Sequence, residues 1–132
     1  MLKGQFAVQT AEHMHLVDIT HGVQNLVTES GITEGVCMLF NPHTTAGLTI
    51  NEGADPDVRT DIIKGLQQIV PLDYPFKHME GNSPSHIMAS LTGASLNIFI
   101  SSGKLQLGTW QAIYFCEFDG PRSRKLLYRI SA

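Results

Sequence analysis

Hydrophobic and polar side chains alternate in part at the start of the chain, a pattern that is typical of strands with one buried face. Leu2, Phe6 and Val8 are the apolar positions within residues 2–10, and a second apolar stretch covers residues 14–19. We expect two antiparallel strands in this region. Similar apolar patterns predict later strands over residues 95–100, 108–115 and 125–130.

An unbroken apolar run, GVCMLF, occupies residues 35–40, and a strand-like segment follows at residues 48–52. A run of this length without alternation predicts a strand that is covered on both faces or buried within an assembly. His43 falls in the turn between these two strands. Strand ends hold side chains firmly while letting them reach a cleft, so His43 is a candidate site residue.

Apolar residues recur at helical spacing only in the middle of the chain. A capping side chain, a proline at the first position and a glycine after the last turn mark the ends of such segments. Three short helices are predicted: one with Thr20 as its cap and Gly31 at its end, one from Asp55-Pro56 to Pro71, and one from about Pro84 to Thr92, closed by Gly93.

Strands at both ends and helices in the middle predict an α+β fold: a single compact domain over residues 1–132, with a large, mixed or mostly antiparallel sheet covered by about three short helices. The length of 132 residues, with 42% hydrophobic and 16% charged residues, suits one globular domain. A net charge of −3 gives no broad basic surface for nucleic acid. Without a signal peptide or a membrane-length apolar stretch, we expect a cytoplasmic protein that does not bind membranes.

The densest polar segment is residues 78–86, His-Met-Glu-Gly-Asn-Ser-Pro-Ser-His. Asn82 or Ser83 followed by Pro84 is typical of a helix start, where free backbone N–H groups can donate hydrogen bonds to an anion. Two imidazoles beside such a helix end suit a phosphorylated ligand. Asn82 and Ser83 are therefore predicted to bind an anion.

A second candidate for anion binding is the segment Gly108-Thr109-Trp110-Gln111, where glycine lets a ligand approach the backbone. Gly108 could instead mark a β-bulge, and Trp110 could be a core aromatic residue. Gln111 has no obvious use in a core, which favours a functional role. Arg122 could clamp a phosphate with two hydrogen bonds, or it could pair with Asp119 and stiffen the turn.

Three histidines, His43, His78 and His86, are candidate ligands of a divalent metal. Imidazole is the commonest metal ligand, and three of them leave a fourth position open, as in reactive zinc sites. The alternative is a set of hydrogen-bonded histidines in a cleft without a metal. Glu80 could be a ligand, an orienting partner or a general base, and Asp61 could reach the same cleft from the second helix, although either could be a solvated surface carboxylate.

Four motifs, in their order and spacing, resemble the YjbQ family of small proteins, described as secondary thiamine-phosphate synthases. The resemblance covers nearly the whole chain. It implies a compact α+β fold, assembly as a homotrimer and a weak ability to form thiamine phosphate, and it adds Thr44 and Thr45 to the candidate substrate-binding residues. The motifs are His43-Thr44-Thr45-Ala46-Gly47 with Asn51-Glu52, the block from His78 to His86, Gly108-Thr109-Trp110-Gln111, and Glu117-Phe118-Asp119-Gly120-Pro121-Arg122.

Three functions stay open at this point. The first is a metal-dependent transferase, using zinc or magnesium, that moves a pyrimidine methyl group from its diphosphate to a thiazole phosphate and releases pyrophosphate. Its candidate catalytic residues are Glu80, Asp61 and Gln111. The second is a zinc-dependent hydrolase of a phosphorylated or amide metabolite. The third is a non-catalytic trimeric protein that binds a small phosphorylated metabolite.

Overall fold

The computed structural model describes residues 1–132 and confirms the α+β fold class, with eight strands and three helices. No helix is both long and apolar enough to cross a membrane. The strands are β1 (Leu2–Gln9), β2 (His15–Asp18), β3 (Gly35–Phe40), β4 (Ala46–Glu52), β5 (Ser95–Ser101), β6 (Lys104–Leu105), β7 (Gln111–Glu117) and β8 (Ser123–Ser131). The helices are α1 (Thr20–Ser30), α2 (Pro56–Ile69) and α3 (Ser83–Thr92).

Every strand pairing is antiparallel. Five strands form one sheet in the order β1-β8-β3-β5-β6, and three form a second sheet in the order β2-β7-β4. The two N-terminal strands are present as predicted, but they do not pair with each other. β1 pairs with β8 and β2 pairs with β7, so the chain passes from one sheet to the other between them.

Two hydrophobic cores lie on opposite faces of the three-stranded sheet. One fills the space between the two sheets and includes Val23 and Val27 of α1. The other lies against α2 and α3 and includes Met88. β7 contributes to both cores, because successive side chains of a strand point to opposite faces: Ile113 and Phe115 lie in the first, and Ala112, Tyr114 and Cys116 lie in the second.

The outer face of the five-stranded sheet has no covering layer within one chain. In β3, Cys37 and Leu39 are buried, whereas Met38 and Phe40 are 50% and 49% exposed. On the neighbouring β5, Phe99 is 72% exposed. The interpretation of β3 as a strand covered on both faces is therefore wrong for a single chain, and burial within an assembly stays a prediction.

The predicted helix ends are confirmed except for the cap of α1. The Asp55 side chain accepts a hydrogen bond from the Asp57 N–H and caps α2. Gly31 follows α1 with a φ of 70°, the left-handed conformation that glycine adopts without strain. Thr20 does not cap α1: its Oγ1 accepts the N–H of Ile113 at 2.8 Å, so it connects the helix to β7 instead.

A buried ion pair joins the two sheets at one end. Glu117 ends β7 and Arg124 lies near the start of β8, and their side chains are 0% and 3% exposed. Arg124 donates from Nη2 to one carboxylate oxygen and from Nε to the other, the second at 2.8 Å. Such a bidentate pair fixes both partners in position and direction.

Two threonines complete the hydrogen bonding of this pair. The Thr10 hydroxyl donates to Glu117 Oε1 at 2.8 Å, and Arg124 Nη2 also donates to Thr45 Oγ1 at 2.9 Å. Burial alone would raise the pKa of Glu117, but hydrogen bonds from Arg124, the Asp119 N–H and Thr10 lower it below its ordinary value. The carboxylate is therefore charged in the folded protein at neutral pH.

The substitution Glu117→Gln leaves Arg124 as a buried charge without a counterion. We expect a loss of about 3–5 kcal/mol in the free energy of unfolding, measured by urea denaturation at pH 7. Because the folded-state pKa of Glu117 is lowered, its contribution is fully present above the unfolded-state pKa and is lost as the pH falls through the folded-state value. The difference between wild type and Glu117→Gln should therefore shrink in acid.

The control is Arg122→Gln, which breaks the exposed ion pair between Arg122 and Asp119, with side chains that are 48% and 20% exposed. An exposed pair contributes about 0–1 kcal/mol, so this variant should lose far less stability. Equal losses in the two variants would show that the buried pair has no special structural role.

Candidate functional site

A cleft of about 400 Å³ lies at the end of the sheets where Glu117 and Arg124 meet. Its lining is polar apart from one proline, so it suits a small charged ligand better than an apolar one. The lining residues are Pro42, His43, Thr44, Thr45, His78, Glu80, Asn82, His86, Asp119, Arg122 and Arg124.

Three separate segments supply these residues: the loop between β3 and β4, the residues that lead into α3 together with its first turn, and the turn between β7 and β8 together with the start of β8. Antiparallel pairing of β4 with β7 places Ala46 opposite Glu117, which brings the first and third segments together. The structure thus gathers most of the predicted site residues in one cleft: His43, Thr44, Thr45, His78, Glu80, Asn82, His86 and Arg122.

The other predicted site residues lie elsewhere. Asp61 is exposed on α2, away from the cleft lining. Gln111 and Glu117 are the two ends of β7, which separates the segment 108–111 from the cleft by roughly 20 Å of extended strand. Within one chain, the cleft therefore does not include Asp61, Gly108, Thr109, Trp110 or Gln111. Ser83 is absent from its lining as well.

The role of Gln111 in the segment 108–111 is explained by local structure. Gln111 Oε1 accepts the Gly108 N–H at 2.8 Å, so this side chain closes its own turn. Trp110 is 65% exposed, and its interpretation as a core aromatic residue is wrong. An exposed Trp at the far end of β7 has no partner that would assign it a role within one chain.

His43 is held by the backbone of β8. His43 Nε2 lies 3.0 Å from the Lys125 nitrogen and 3.1 Å from the Lys125 carbonyl oxygen, so it accepts from that N–H in one tautomer and donates to that carbonyl in the other. Burial and the nearby positive charge of Arg124 lower the pKa of His43, so the ring is neutral at pH 7. A neutral His43 offers a single N–H donor.

His78 and His86 form a pair on the other side of the cleft. Their ring centroids are 5.2 Å apart and the rings are nearly perpendicular, at 87°. Two imidazoles at this separation can contact the same ion. No group of three or more His, Cys, Asp or Glu side chains is arranged to hold a metal, so the predicted metal site stays a prediction.

The start of α3 provides fewer anion-binding groups than its sequence predicts. Asn82 precedes the first turn, which confirms the predicted helix start. The N–H groups of Ser85 and His86 both donate to the Asn82 carbonyl, and Pro84 has none to offer. Positive charge for an anion must therefore come mainly from side chains.

Two arginines supply that charge. Arg122 donates from Nε to the Asp119 backbone carbonyl at 2.9 Å and from Nη2 to the Asp119 carboxylate at 3.1 Å, whereas Arg124 donates from the same two atoms to the two carboxylate oxygens of Glu117. In both residues Nη1 makes no hydrogen bond within the protein. Each guanidinium is thus held in place by a carboxylate while one nitrogen stays available.

Arg124 lines the cleft and Glu117 is its buried partner, and neither was predicted to belong to the site. The sequence contained a signal for both, since Arg124 shares the alternating phase of Leu126 and Ile130 in β8, and Glu117 continues an apolar run in β7. A charged side chain in the buried phase of a strand indicates a buried partner of opposite charge.

Comparisons with known proteins agree with this fold. The family profile described as "UPF0047 protein YjbQ-like" matches residues 4–132. The UPF0047 protein YugU of Bacillus subtilis is 47% identical over 118 residues, which are 89% of this chain and 89% of that protein. A UPF0047 protein of Methanocaldococcus jannaschii is 47% identical over 126 residues, or 96% of this chain and 91% of that protein.

Solved structures of other proteins also match this fold over nearly the whole chain. A crystal structure from Clostridium acetobutylicum, described as an uncharacterized conserved protein of the YjbQ/UPF0047 family, has a TM-score of 0.94 and 51% identity, and the match covers 96% of this chain and 98% of that one. A hypothetical protein of Aeropyrum pernix K1 has a TM-score of 0.94 at 33% identity, covering 100% and 99%. The resemblance inferred from the four motifs is confirmed, and the chain belongs to the UPF0047 YjbQ-like family.

Proposed function

We propose that the polar cleft binds the phosphate groups of small metabolites and that the protein is a transferase of the secondary thiamine-phosphate synthase type. The observation that carries this proposal is the pair of arginines, Arg122 and Arg124, that line one cleft and each keep Nη1 free of protein partners. Guanidinium nitrogens fixed in this way are well suited to phosphate oxygens.

In the proposed reaction, the bond between the pyrimidine methyl carbon and the diphosphate oxygen breaks, and the thiazole nitrogen forms a new bond to that carbon. The electron pair of the broken bond leaves with pyrophosphate, so negative charge builds up on the departing oxygen. Donors that are already in place stabilise such charge without having to reorganise. Arg122 and Arg124 are the charged donors that line this cleft.

The thiazole nitrogen becomes positively charged as it gives up its electron pair. Glu80 lines the cleft and belongs to neither ion pair of the protein. A carboxylate in this position would offset the new positive charge, which is the role we propose for it. Asp61 and Gln111 lie outside the cleft and take no part in this scheme within one chain.

Asp119 and Glu117 each neutralise one arginine, so a multiply charged phosphate needs further positive charge. His78 and His86 can supply it by holding a divalent metal, zinc or magnesium. The imidazole pair fits zinc better than magnesium, which prefers oxygen ligands. The structure brings no third ligand into reach, and we assign no step of the reaction to a metal.

The imidazole pair also supports a second candidate function, a zinc-dependent hydrolase of a phosphorylated or amide metabolite. Zinc would activate a water molecule for attack, and Glu80 would accept the proton. Stoichiometric zinc retained through purification, together with hydrolysis that chelation abolishes, would favour this function over transfer.

We further propose that the protein is a homotrimer in which the outer face of the five-stranded sheet is buried. Met38, Phe40 and Leu127 line a groove of about 610 Å³ on this face. Val36 and Phe99 extend the apolar surface from β3 onto β5. Exposed apolar surface in the centre of a sheet is typical of an interface.

Phosphate affinity should depend on Arg122. We expect Arg122→Gln to weaken binding of inorganic phosphate by about tenfold, because one charge-assisted hydrogen bond is lost, as measured by isothermal titration calorimetry. Lys64→Gln removes the same charge from an exposed position on α2 and should leave the affinity unchanged. Equal effects of the two substitutions would mean that only net charge matters and that the cleft is not the site.

Catalysis is tested by supplying the purified protein with both phosphorylated precursors and measuring thiamine phosphate by mass spectrometry. We expect product above background, and a loss of about tenfold or more in rate for Glu80→Gln. The precursors should be verified with an authentic synthase. If the protein binds both precursors without forming product, it is a binding protein and the transferase proposal is wrong.

Assembly should depend on the outer face of the five-stranded sheet. Phe99→Lys places a charge in the proposed interface and should convert the trimer to monomers in sedimentation experiments at micromolar concentration. Ile69→Lys is the control, since Ile69 is 69% exposed on α2, compared with 72% for Phe99. A wild-type protein that sediments as a monomer would contradict the proposal.

A further inference from the structure

Residues 108–111, which we call the Trp110 segment, carry donor groups that the chain itself does not use. The Thr109 hydroxyl, the Trp110 indole N–H and the Gln111 Nε2 atom make no hydrogen bond within the protein, and these residues are exposed. Gln111 Oε1 accepts the Gly108 N–H at 2.8 Å. The Gln111 side chain is therefore held by its oxygen and keeps its nitrogen available for a partner.

The polar cleft is short of such donors. Each of its arginines is neutralised by an acidic residue, and the first N–H groups of α3 bond the Asn82 carbonyl. Within one chain, β7 separates the Trp110 segment from the cleft by roughly 20 Å of extended strand. The Trp110 segment can therefore reach a cleft only from a second copy of the chain.

The outer face of the five-stranded sheet is cationic as well as apolar. Its strands contain no acidic residue. Because successive side chains of a strand point to opposite faces, the charged residues that point outwards are Lys3, Lys104, Lys125 and Arg129. Lys3 and Arg129 are direct partners in the register of β1 and β8, and like charges in such a pair repel each other. An acidic surface would relieve this repulsion.

The surface around Trp110 has the opposite charge. The Gly53 N–H donates to the Trp110 carbonyl at 2.8 Å, which joins the Trp110 segment to the loop before α2. The acidic residues of β4, this loop and the first turn of α2 are Glu52, Asp55 and Asp57. Arg59 is only partly exposed, with its guanidinium over the ring of the buried Tyr114. Trp110, 65% exposed, gives this acidic surface an aromatic anchor, so it complements the outer face in charge and in polarity.

The outer face continues to the mouth of the cleft. Phe40 is the last residue of β3, and the cleft residues Pro42 and His43 follow shortly after it. Phe40 also pairs with Leu127 of β8, and the backbone of the nearby Lys125 contacts the His43 ring. A second subunit that packs on the apolar part of this face therefore borders the cleft.

We infer that Trp110 of one subunit packs on the outer face of its neighbour, and that Thr109 and Gln111 then donate hydrogen bonds to the phosphate in that neighbour's cleft. A cyclic trimer allows this arrangement, because each of its interfaces joins two different surfaces. The inference rests on the proposed function, since it assumes a trimer and a phosphate in the cleft. A complete site then consists of two arginines from one subunit and uncharged donors from the next.

Packing of Trp110 on a neighbour is tested by fluorescence, since Trp110 is the only tryptophan of the chain. We expect emission at shorter wavelength in the wild-type trimer than in the monomeric Phe99→Lys variant, and slower quenching by acrylamide, because the indole is removed from water. A wild-type trimer whose emission acrylamide quenches as fast as that of N-acetyltryptophanamide would overturn the inference. This outcome is measured on the wild type alone and does not require the variant to fold.

The donor role is tested with Gln111→Glu, which keeps an oxygen for the Gly108 N–H and replaces the nitrogen donor with a negative charge. We expect the calorimetric affinity for inorganic phosphate to fall by about tenfold or more. Gln68→Glu adds the same charge at an exposed position of α2 and should leave the affinity unchanged. Wild-type affinity in Gln111→Glu, with Arg122→Gln still impaired, would overturn the inference and leave the proposed function intact.

Mixed trimers show whether the two parts of a site come from different chains. Arg122→Gln and Gln111→Glu chains with different affinity tags are co-expressed and purified through both tags. Every such trimer has one interface that joins an intact cleft to an intact Trp110 segment, so wild-type affinity should return at about one third of the sites. No recovery would overturn the inference. If the wild-type trimer does not bind phosphate, the proposed function is wrong, and the fluorescence of Trp110 decides whether its segment packs on a neighbour.

Discussion

A carboxylate and a guanidinium that are both removed from water stabilise the fold only when each satisfies the other, and Glu117 and Arg124 meet this condition at the meeting point of the two sheets. Hydrogen bonds from Thr10 and to Thr45 complete the arrangement. The pair holds the end of β7 against the start of β8. Since the cleft is built from the loops at this end, its shape depends on the same contact.

The same chemistry is repeated closer to the surface, where Asp119 orients Arg122. In both pairs the acidic residue occupies two nitrogens of the arginine, Glu117 with its carboxylate alone and Asp119 with its carboxylate and its backbone carbonyl, and leaves the third nitrogen for a ligand. In each pair the acidic residue cancels the positive charge of the arginine and fixes its orientation. Because the net charge of each pair is zero, we assign an additional source of charge, the His78 and His86 pair, to the binding of a multiply charged phosphate.

Local signals in the sequence were sufficient for the fold class and for most helix ends. The cap at Asp55 and the glycine at Gly31 act within a few residues, so the sequence alone identifies them. Thr20 was misassigned because its partner, Ile113, is distant in the sequence. The alternation of hydrophobic and polar residues also does not reveal which strands pair. The two N-terminal strands were therefore expected to pair with each other, although they belong to different sheets.

The candidate site was predictable where its residues are functional in type and close in sequence, as in residues 78–86. The placement of Gly108 to Gln111 could not be predicted, because it depends on the antiparallel register of β4 and β7, which puts Gln111 opposite Glu52 and far from the cleft. Arg124 was missed because a lone arginine in a strand looks like a surface residue unless its phase is examined.

The most direct test of this account is a crystal structure of the protein with inorganic phosphate bound. We expect a phosphate within hydrogen-bonding distance of Nη1 of Arg122 and Nη1 of Arg124, with the ring of His78 or His86 on its other side. A phosphate bound at the far end of β7, near Trp110, with the arginines unoccupied, would contradict it.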